Sequence, residues 1–294
     1  MSGKILVVGD VMTDVIVMPE GPIVKGSDRR AKVRWRPGGS GANQAVWLGA
    51  MGADVLFAAR VAAADKATCE NYFRGLGGVP VLSGDREQTS GVLVTIVDPD
   101  GERSFLTDRG ANLNLCAEDL PESLLEDLGM VVVSGYSFFT PGPRAAVQEL
   151  FARAQARGVA VVVDPASVGF LREVGIEQFL AWTHGADWII ANESEAEALT
   201  GQTDLAEQIM ALGRSFGHVV IKRGAHGAAL GDRGGVQVML PAPRVEVVDS
   251  TGAGDAFAAG FLAAHLKGDD DATALARGIE AGAKAVQSIG GQPA

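Results

Sequence analysis

Asp249-Ser250-Thr251-Gly252-Ala253-Gly254-Asp255 combines the makings of an anion site with a carboxylate. The segment follows a β-branched run, Val245 to Val248 around Glu246, and leads into Ala256 to Leu266. There Phe257/Phe261 and Leu262/Leu266 recur at helical spacing. A strand, a glycine loop and a helix are therefore expected in that order. Gly252 and Gly254 let the backbone approach a ligand closely. The N–H groups at the helix start, with the positive end of the helix dipole, favour an anion. A carboxylate among those amides repels a phosphate unless it has a task of its own. Asp255 can take a proton from a hydroxyl that attacks the phosphorus held by the amides, so phosphoryl transfer suits this spacing. Asp and Ser before a helix are also common caps, and the segment alone leaves that structural reading beside the chemical one.

The elements that must position these residues alternate along the chain. Ile5-Val8, Val55-Ala58, Met130-Val133, Val159-Val163, Trp188-Ile190 and Val219-Ile221 read as buried strands. Helical patterns at Gly41-Met51, Pro143-Arg157, Ser194-Leu199 and Leu205-Phe216 lie between several of them. This alternation predicts an α/β fold with a mainly parallel sheet covered on both faces. Two regions break the rhythm. Ala31 to Arg36 alternates basic and apolar residues, and Gly91-Val97 with Arg103-Leu106 reads as a hairpin across Asp98-Pro-Asp-Gly-Glu102. Together they predict a small β lid formed by parts of about 12–37 and 91–109, within one domain spanning 1–294. Ligands of such sheets bind at the carboxyl ends of strands. Asp10 and Asp14, Ser134, Asp164, Asn192 with Glu195, Lys222 with Arg223, and Asp249 through Asp255 all follow strands. For Asp164-Pro165 a turn is the favoured reading.

The chain has 294 residues and a net charge of −11, which argues against a nucleic-acid partner. Anionic ligands must then be met by local donors. Cys69 and Cys116 form no CxxC pair, and the four histidines have no metal-ligand spacing, so free thiols and structural histidines are expected. The only apolar run near Met1 is Ile5 to Val8, too short for a signal peptide, and no run reaches membrane-spanning length. A cytoplasmic enzyme without a membrane partner is the expectation.

Gly38-Gly39-Ser40-Gly41-Ala42-Asn43-Gln44-Ala45 is a second glycine motif. It is neither a Walker A loop, a dinucleotide fingerprint nor a hydrolase elbow. It resembles the first signature of the ribokinase-like (PfkB) carbohydrate kinase family, and Asp249 through Asp255 resembles the second. Asn192-Glu193-Ser194-Glu195 resembles that family's Asn-x-x-Glu motif, and Ile221-Lys222-Arg223-Gly224-Ala225-His226-Gly227 its nucleotide-side strand and turn. The similarity covers almost the whole chain, with four motifs in the family's order.

The resemblance implies a Rossmann-like three-layer α/β/α core with a β lid and an ATP-dependent kinase. Asp255 would be the general base toward a hydroxymethyl group, and the amides of Gly252, Ala253 and Gly254 the anion hole. Asp14, Gly39, Ser40 and Asn43 match sugar-binding positions. Asn192, Lys222, Gly224, Gly227 and Thr251 match the ATP side, although a solvated strand-end Lys is an equal reading for Lys222. Asn192 and Glu195 would stand in the outer shell of Mg2+. Asp249, Thr251 and Gly290 match a K+ site of some members. Ser40 stands where the ribokinase subgroup has Lys, and Val133-Ser134-Gly135-Tyr136-Ser137 offers no sugar-binding Glu, which puts ribose in doubt. Arg109 could bind an acidic sugar or phosphate or merely decorate a hairpin, and decoration is favoured for Arg103. For Trp35 and Phe105, packing between lid and core is the commoner role. A nucleoside kinase is the nearest rival, an inactive sugar or nucleotide sensor the next, and a homodimer through the lid edge is consistent with the pattern.

Overall fold

A computed structural model describes residues 3–98 and 103–293. From residue 99 to 102 the expected hairpin turn lies outside the described residues, as does the side chain of Arg103. Thirteen strands form two sheets among the described residues: β1 (Lys4–Val8), β2 (Met12–Pro19), β3 (Ala31–Gly38), β4 (Val55–Ala62), β5 (Val79–Asp85), β6 (Gly91–Val97), β7 (Arg103–Asp108), β8 (Leu128–Ser134), β9 (Ala160–Asp164), β10 (Trp188–Asn192), β11 (His218–Lys222), β12 (Ala228–Asp232) and β13 (Gly235–Leu240). The helices are α1 (Ser40–Ala50), α2 (Lys66–Gly75), α3 (Pro141–Gln155), α4 (Val168–Val174), α5 (Ile176–Trp182), α6 (Glu193–Thr200), α7 (Leu205–Leu212), α8 (Ala253–Lys267) and α9 (Asp271–Ala285).

The large sheet has the order β13-β12-β11-β10-β9-β8-β1-β4-β5. Its strands are parallel except for the antiparallel edge β11-β12-β13. The central strands are continuous Val/Ile runs because both faces are covered, as parallel sheets require. Alternate residues of β1 divide between the faces: Ile5 and Val7 pack in the core with α1, α8 and α9, while Leu6 and Val8 pack in the core with α3 and α7. Among the described residues, β5, β12 and β13 and helices α2 and α9 extend the architecture beyond the expected elements. The strand expected at Val245–Val248 does not form. Val247 and Val248 are exposed, and the segment is held instead by the N–H groups of Val248 and Asp249 on the Val286 carbonyl, at 2.8 and 3.1 Å. The β-branched residues have no neighbouring strand to pair with there.

The small sheet has four strands in the order β3-β2-β6-β7, drawn from residues 12–38 and 91–108. Its register puts Arg36, Asp14, Leu93 and Thr107 in one row on one face, and Trp35, Val15, Val94 and Leu106 in the next row on the other. Trp35 is 67% exposed, so it does not fill a lid–core contact. The small sheet is tied to the core where its strands enter and leave. Asn112, just past β7, accepts the Val11 N–H and donates to the Val11 carbonyl, both at 2.9 Å.

At the far end of the large sheet, His265 is half-buried against Trp188 and Phe261, which fits a structural histidine. Cys69 and Cys116 are free thiols and half-buried. Among the described residues no helix is long and apolar enough to cross a membrane.

Candidate active site

The chain runs from β1 toward β4 on one side of the sheet and from β8 toward β11 on the other, so β1 and β8 flank a topological switch point. A crevice forms beyond the carboxyl ends of strands at such a point. Two helices begin there. Gly39 caps α1 at φ +96°, and a Cβ on it would lie 2.5 Å from the Asp10 carbonyl oxygen. Gly252 caps α8 at φ +72°. Side chains are excluded from both positions by backbone conformation and by space.

These two helix starts bring together residues more than 200 apart. Asp255, in the first turn of α8, accepts from Ser40 Oγ at 2.8 Å, Asn43 Nδ2 at 2.9 Å and Gln44 Nε2 at 3.3 Å. Burial and the nearby Asp164 push its carboxyl up to about 7, against the pull of the Asn43 and Ser40 donors and of Lys222. A group poised near neutrality and bonded on its charged form is suited to accept a proton.

Lys222, at the end of β11, is not the solvated lysine of the alternative reading. Its ammonium lies 2.8 Å from Asp164 Oδ2 and close over Gly254, where a Cβ would be 3.2 Å from Nζ. Burial works to lower its pKa, but Asp164 and Glu195 outweigh that and hold the ammonium charged. Asp164 does make the expected turn, accepting the Ala166 N–H at 3.0 Å. It also pairs with Lys222, a role the turn reading missed. Of the three expected anion-hole amides, Ala253 already donates to the Ser250 carbonyl at 3.3 Å.

Asn192 and Glu195 form a reciprocal capping box on α6, with both bonds at 2.8 Å. Glu195 is buried, and burial, offset in part by Lys222, raises its carboxyl to about 7. Asp249 accepts from Thr251 N–H and Oγ at 3.0 and 2.7 Å and from Gly290 N–H at 3.0 Å, so the three residues of the expected cation site do meet.

Asp14 is buried on β2, and burial followed by the charges of Asp10 and Asp249 raises it to about 6. Its Oδ1 and the Asn43 Oδ1 are buried without a hydrogen-bond partner among the described residues. Both residues line the cleft, so a ligand donor that reaches them is one way to satisfy these acceptors.

The cleft encloses about 480 Å³. It is lined by Asp14, Gly39, Ser40, Asn43, Arg109, Asn192, Glu195, Lys222, Thr251, Gly252, Gly254 and Asp255, all expected from sequence. Gly224, Gly227, Ala253, Asp249 and Gly290 are outside that lining. Gly227 is explained by packing: a Cβ there would overlap the Leu240 carbonyl oxygen across β12–β13. Tyr136, Phe170, Leu93 and Thr107 line the cleft without having been singled out as site residues, and apolar or neutral side chains carry no sequence signal for chemistry. Phe105 is 59% exposed yet edges the cleft. The Arg109 guanidinium lies 4.8 Å from the centre of the Tyr136 ring.

Comparison with known proteins gives this arrangement a family. The model of the pfkB family carbohydrate kinases matches residues 2–294. The chain belongs to that family. Among curated relatives of the chain, the bifunctional protein HldE of Pseudomonas putida (strain W619) is 32% identical over 292 residues, covering 92% of this chain. The chain spans only 57% of that protein's length. The deoxyribokinase of Salmonella typhi is 28% identical, with 98% of this chain and 94% of that protein covered. The crystal structure of a probable sugar kinase from Rhizobium etli CFN 42 superposes with a TM-score of 0.89 at 23% identity, over 100% of this chain and 96% of that one. Kinases of this family use ATP and a divalent metal. They bind a sugar or nucleoside substrate.

Proposed function

We propose that this kinase transfers the γ-phosphoryl group of ATP to a hydroxymethyl group of a sugar or sugar-like acceptor. One observation carries the reading: the Asp255 carboxylate, at the start of α8, is bonded by Ser40 and Asn43 of the other glycine motif. Asp255 accepts the proton of the attacking hydroxyl. The first-turn amides at Gly252 and Gly254 face the transferring phosphoryl group, with the Lys222 charge beside them. The acceptor's other hydroxyls donate to the bare oxygens of Asp14 and Asn43, while Gly39 and Ser40 leave it room. Arg109 closes the acceptor side.

ATP lies toward Asn192, Lys222 and Thr251, with the Gly224–Gly227 turn at its outer end. Among the described residues no group of three or more His, Cys, Asp or Glu could hold a metal. The Asn192 and Glu195 oxygens, already committed to a cap, fit Mg2+ as outer-shell partners through water. When bound, the ion offsets phosphate charge. Asp249, Thr251 and Gly290 would border a K+ ion. The small sheet acts as a lid that keeps water from the phosphoryl group. Its outer face, with Trp35 67%, Leu106 61% and Val33 50% exposed, suits a homodimer through the lid.

A nucleoside acceptor is the second reading, favoured by the aromatic wall of Tyr136, Phe170 and Phe105. An ATP-consumption screen over pentoses, hexoses, keto-deoxy acids and nucleosides, with K+ varied, separates the readings. Turnover on nucleosides alone would favour the second. ATP binding with no turnover on any acceptor would leave a sensor.

A further inference from the structure

The segment that backs the reaction centre has entered so far only through Gly290, beside the proposed K+ site. Gly290, Gly291 and Gln292 run behind α1 and the start of α8 and are pinned at three points. The Gly290 N–H donates to Asp249 Oδ2 at 3.0 Å. The Gly291 carbonyl accepts from the Trp47 indole N–H at 2.9 Å. The Gln292 Oε1 accepts from the Tyr72 hydroxyl. Gly291 thereby lies between two parts of the site. A Cβ on it would be 2.5 Å from Asn43 Nδ2 and 3.0 Å from Asn43 Cγ. A Cβ on Gly252 would overlap the Gly291 Cα.

We propose that Gly291, held in place by Trp47, is a positioning residue that sets Asn43 against Asp255 and Gly252 beside the phosphoryl site. It acts through its neighbours, because it is absent from the cleft lining. The space it leaves is filled by the same Asn43 nitrogen that donates to Asp255 Oδ2 at 2.9 Å. A side chain at 291 therefore pushes that nitrogen off the carboxylate. The lost donor is one that stabilises the charged form, so Asp255 takes up its proton at a higher pH. The Trp47 bond fixes how near Gly291 stands, and losing it works in the same direction with a smaller effect. A segment that merely completed the fold would change stability and leave the titration of the base alone.

The inference rests on Asp255 being the base, and the experiment separates the two. The pH dependence of kcat is measured for the wild type, Gly291→Ala, Trp47→Phe, Asn43→Ala and the Asn43→Ala/Gly291→Ala double variant. Folding of each is checked by circular dichroism and thermal melting. For Gly291→Ala, kcat is expected to fall about 10- to 100-fold and the acid limb to rise by about one pH unit, the size of one lost charge-assisted hydrogen bond. Trp47→Phe shifts the limb the same way by less. In the Asn43→Ala background, where the space is vacated, Gly291→Ala adds no further shift. A wild-type limb in both folded single variants, or an equal shift with and without Asn43, overturns the proposal. If Gly291→Ala does not fold, Trp47→Phe decides alone. Wild-type turnover in Asp255→Asn would instead remove the base reading, and this inference with it.

Discussion

At the reaction end of the cleft, Asp255 accepts from three side chains of α1 in a setting closed by Gly39 and Gly252, where a Cβ meets backbone, and by Gly291, where it meets the Asn43 amide. At the acceptor end, Asp14 stands on a four-stranded sheet whose edge strand β3 is exposed from Ala31 to Pro37. Asp14 keeps one buried oxygen without a partner among the described residues. The first region is fixed by many mutual constraints, so small changes there act on the rate of the chemical step. The second is sparse and exposed, so changes there act on which acceptor is held and how tightly. On the proposed reading, the reaction is built into two helix starts, and the choice of substrate into a small sheet and the facing Tyr136 and Phe170.

The largest effect is expected at the centre of the rigid region. Asp255→Asn keeps the shape and the Ser40 donor but removes the base. It should lower kcat by about 10³-fold, within the range of general-base losses, while ATP affinity by calorimetry changes little. An equal loss of ATP binding would place Asp255 in nucleotide binding. Next, Asp14→Ala should lower kcat/KM for the acceptor about 10- to 100-fold and leave the KM for ATP within a few-fold, the mark of a group serving one side of the cleft. A matched loss for both substrates would erase the distinction between the two regions. Glu195→Gln retains an acceptor for the Asn192 N–H and so keeps the cap. It should raise the Mg2+ concentration needed for half-maximal rate a few-fold with little change in melting temperature, whereas an unchanged requirement would leave Glu195 as a cap alone.

A stability effect follows from the same carboxylate. The folded-state pKa of Asp255 is about 7, raised above the usual value near 4, so the native state holds its proton more tightly than the unfolded chain does. Across roughly pH 4 to 7 the native state is therefore favoured at the acid side, and its cost grows as the proton leaves. Asp255→Asn abolishes that cost. Its melting temperature relative to the wild type should rise by a few degrees between pH 5 and pH 8. A constant difference would mean that Asp255 is solvated as in an ordinary loop. The smallest expected effect is on assembly: Trp35→Glu, on the outer face of the small sheet, should shift a dimer toward monomer by sedimentation and leave turnover per chain largely intact.

Much of the reaction end was legible in the sequence because its demands are local. Gly39 and Gly252 answer to backbone conformation, and Asn43 and Asp255 are polar residues placed beside glycines at helix starts. The alternation of Val/Ile runs with helical patterns was likewise enough for six strands of the large sheet, β4, β1 and β8 to β11, and basic–apolar alternation at Ala31–Arg36 for the edge strand β3 of the small one. Other features depend on contacts between distant segments. Val245–Val248 has the composition of a strand, but pairing requires a neighbour, and the one it finds is the Val286 carbonyl. Asp164 read as a turn because its partner, Lys222, lies 58 residues away. Tyr136 and Phe170 are ordinary core residues by type, and only the fold brings them to the cleft. Glycine also serves opposite ends in this chain: Gly227 is required by strand packing, Gly252 by the helix start, and their letters are the same.

The pH dependence of kcat under saturating ATP, Mg2+ and acceptor tests most directly whether Asp255 is the base. The Asp255 ionisation near 7 should govern the first tenfold fall of kcat on the acid side, and that step should be missing from the residual activity of Asp255→Asn, whatever Asp14 and Glu195 add below it. A wild-type kcat that stays level from pH 8 to pH 5, or an acid limb that persists unchanged in Asp255→Asn, would contradict the account.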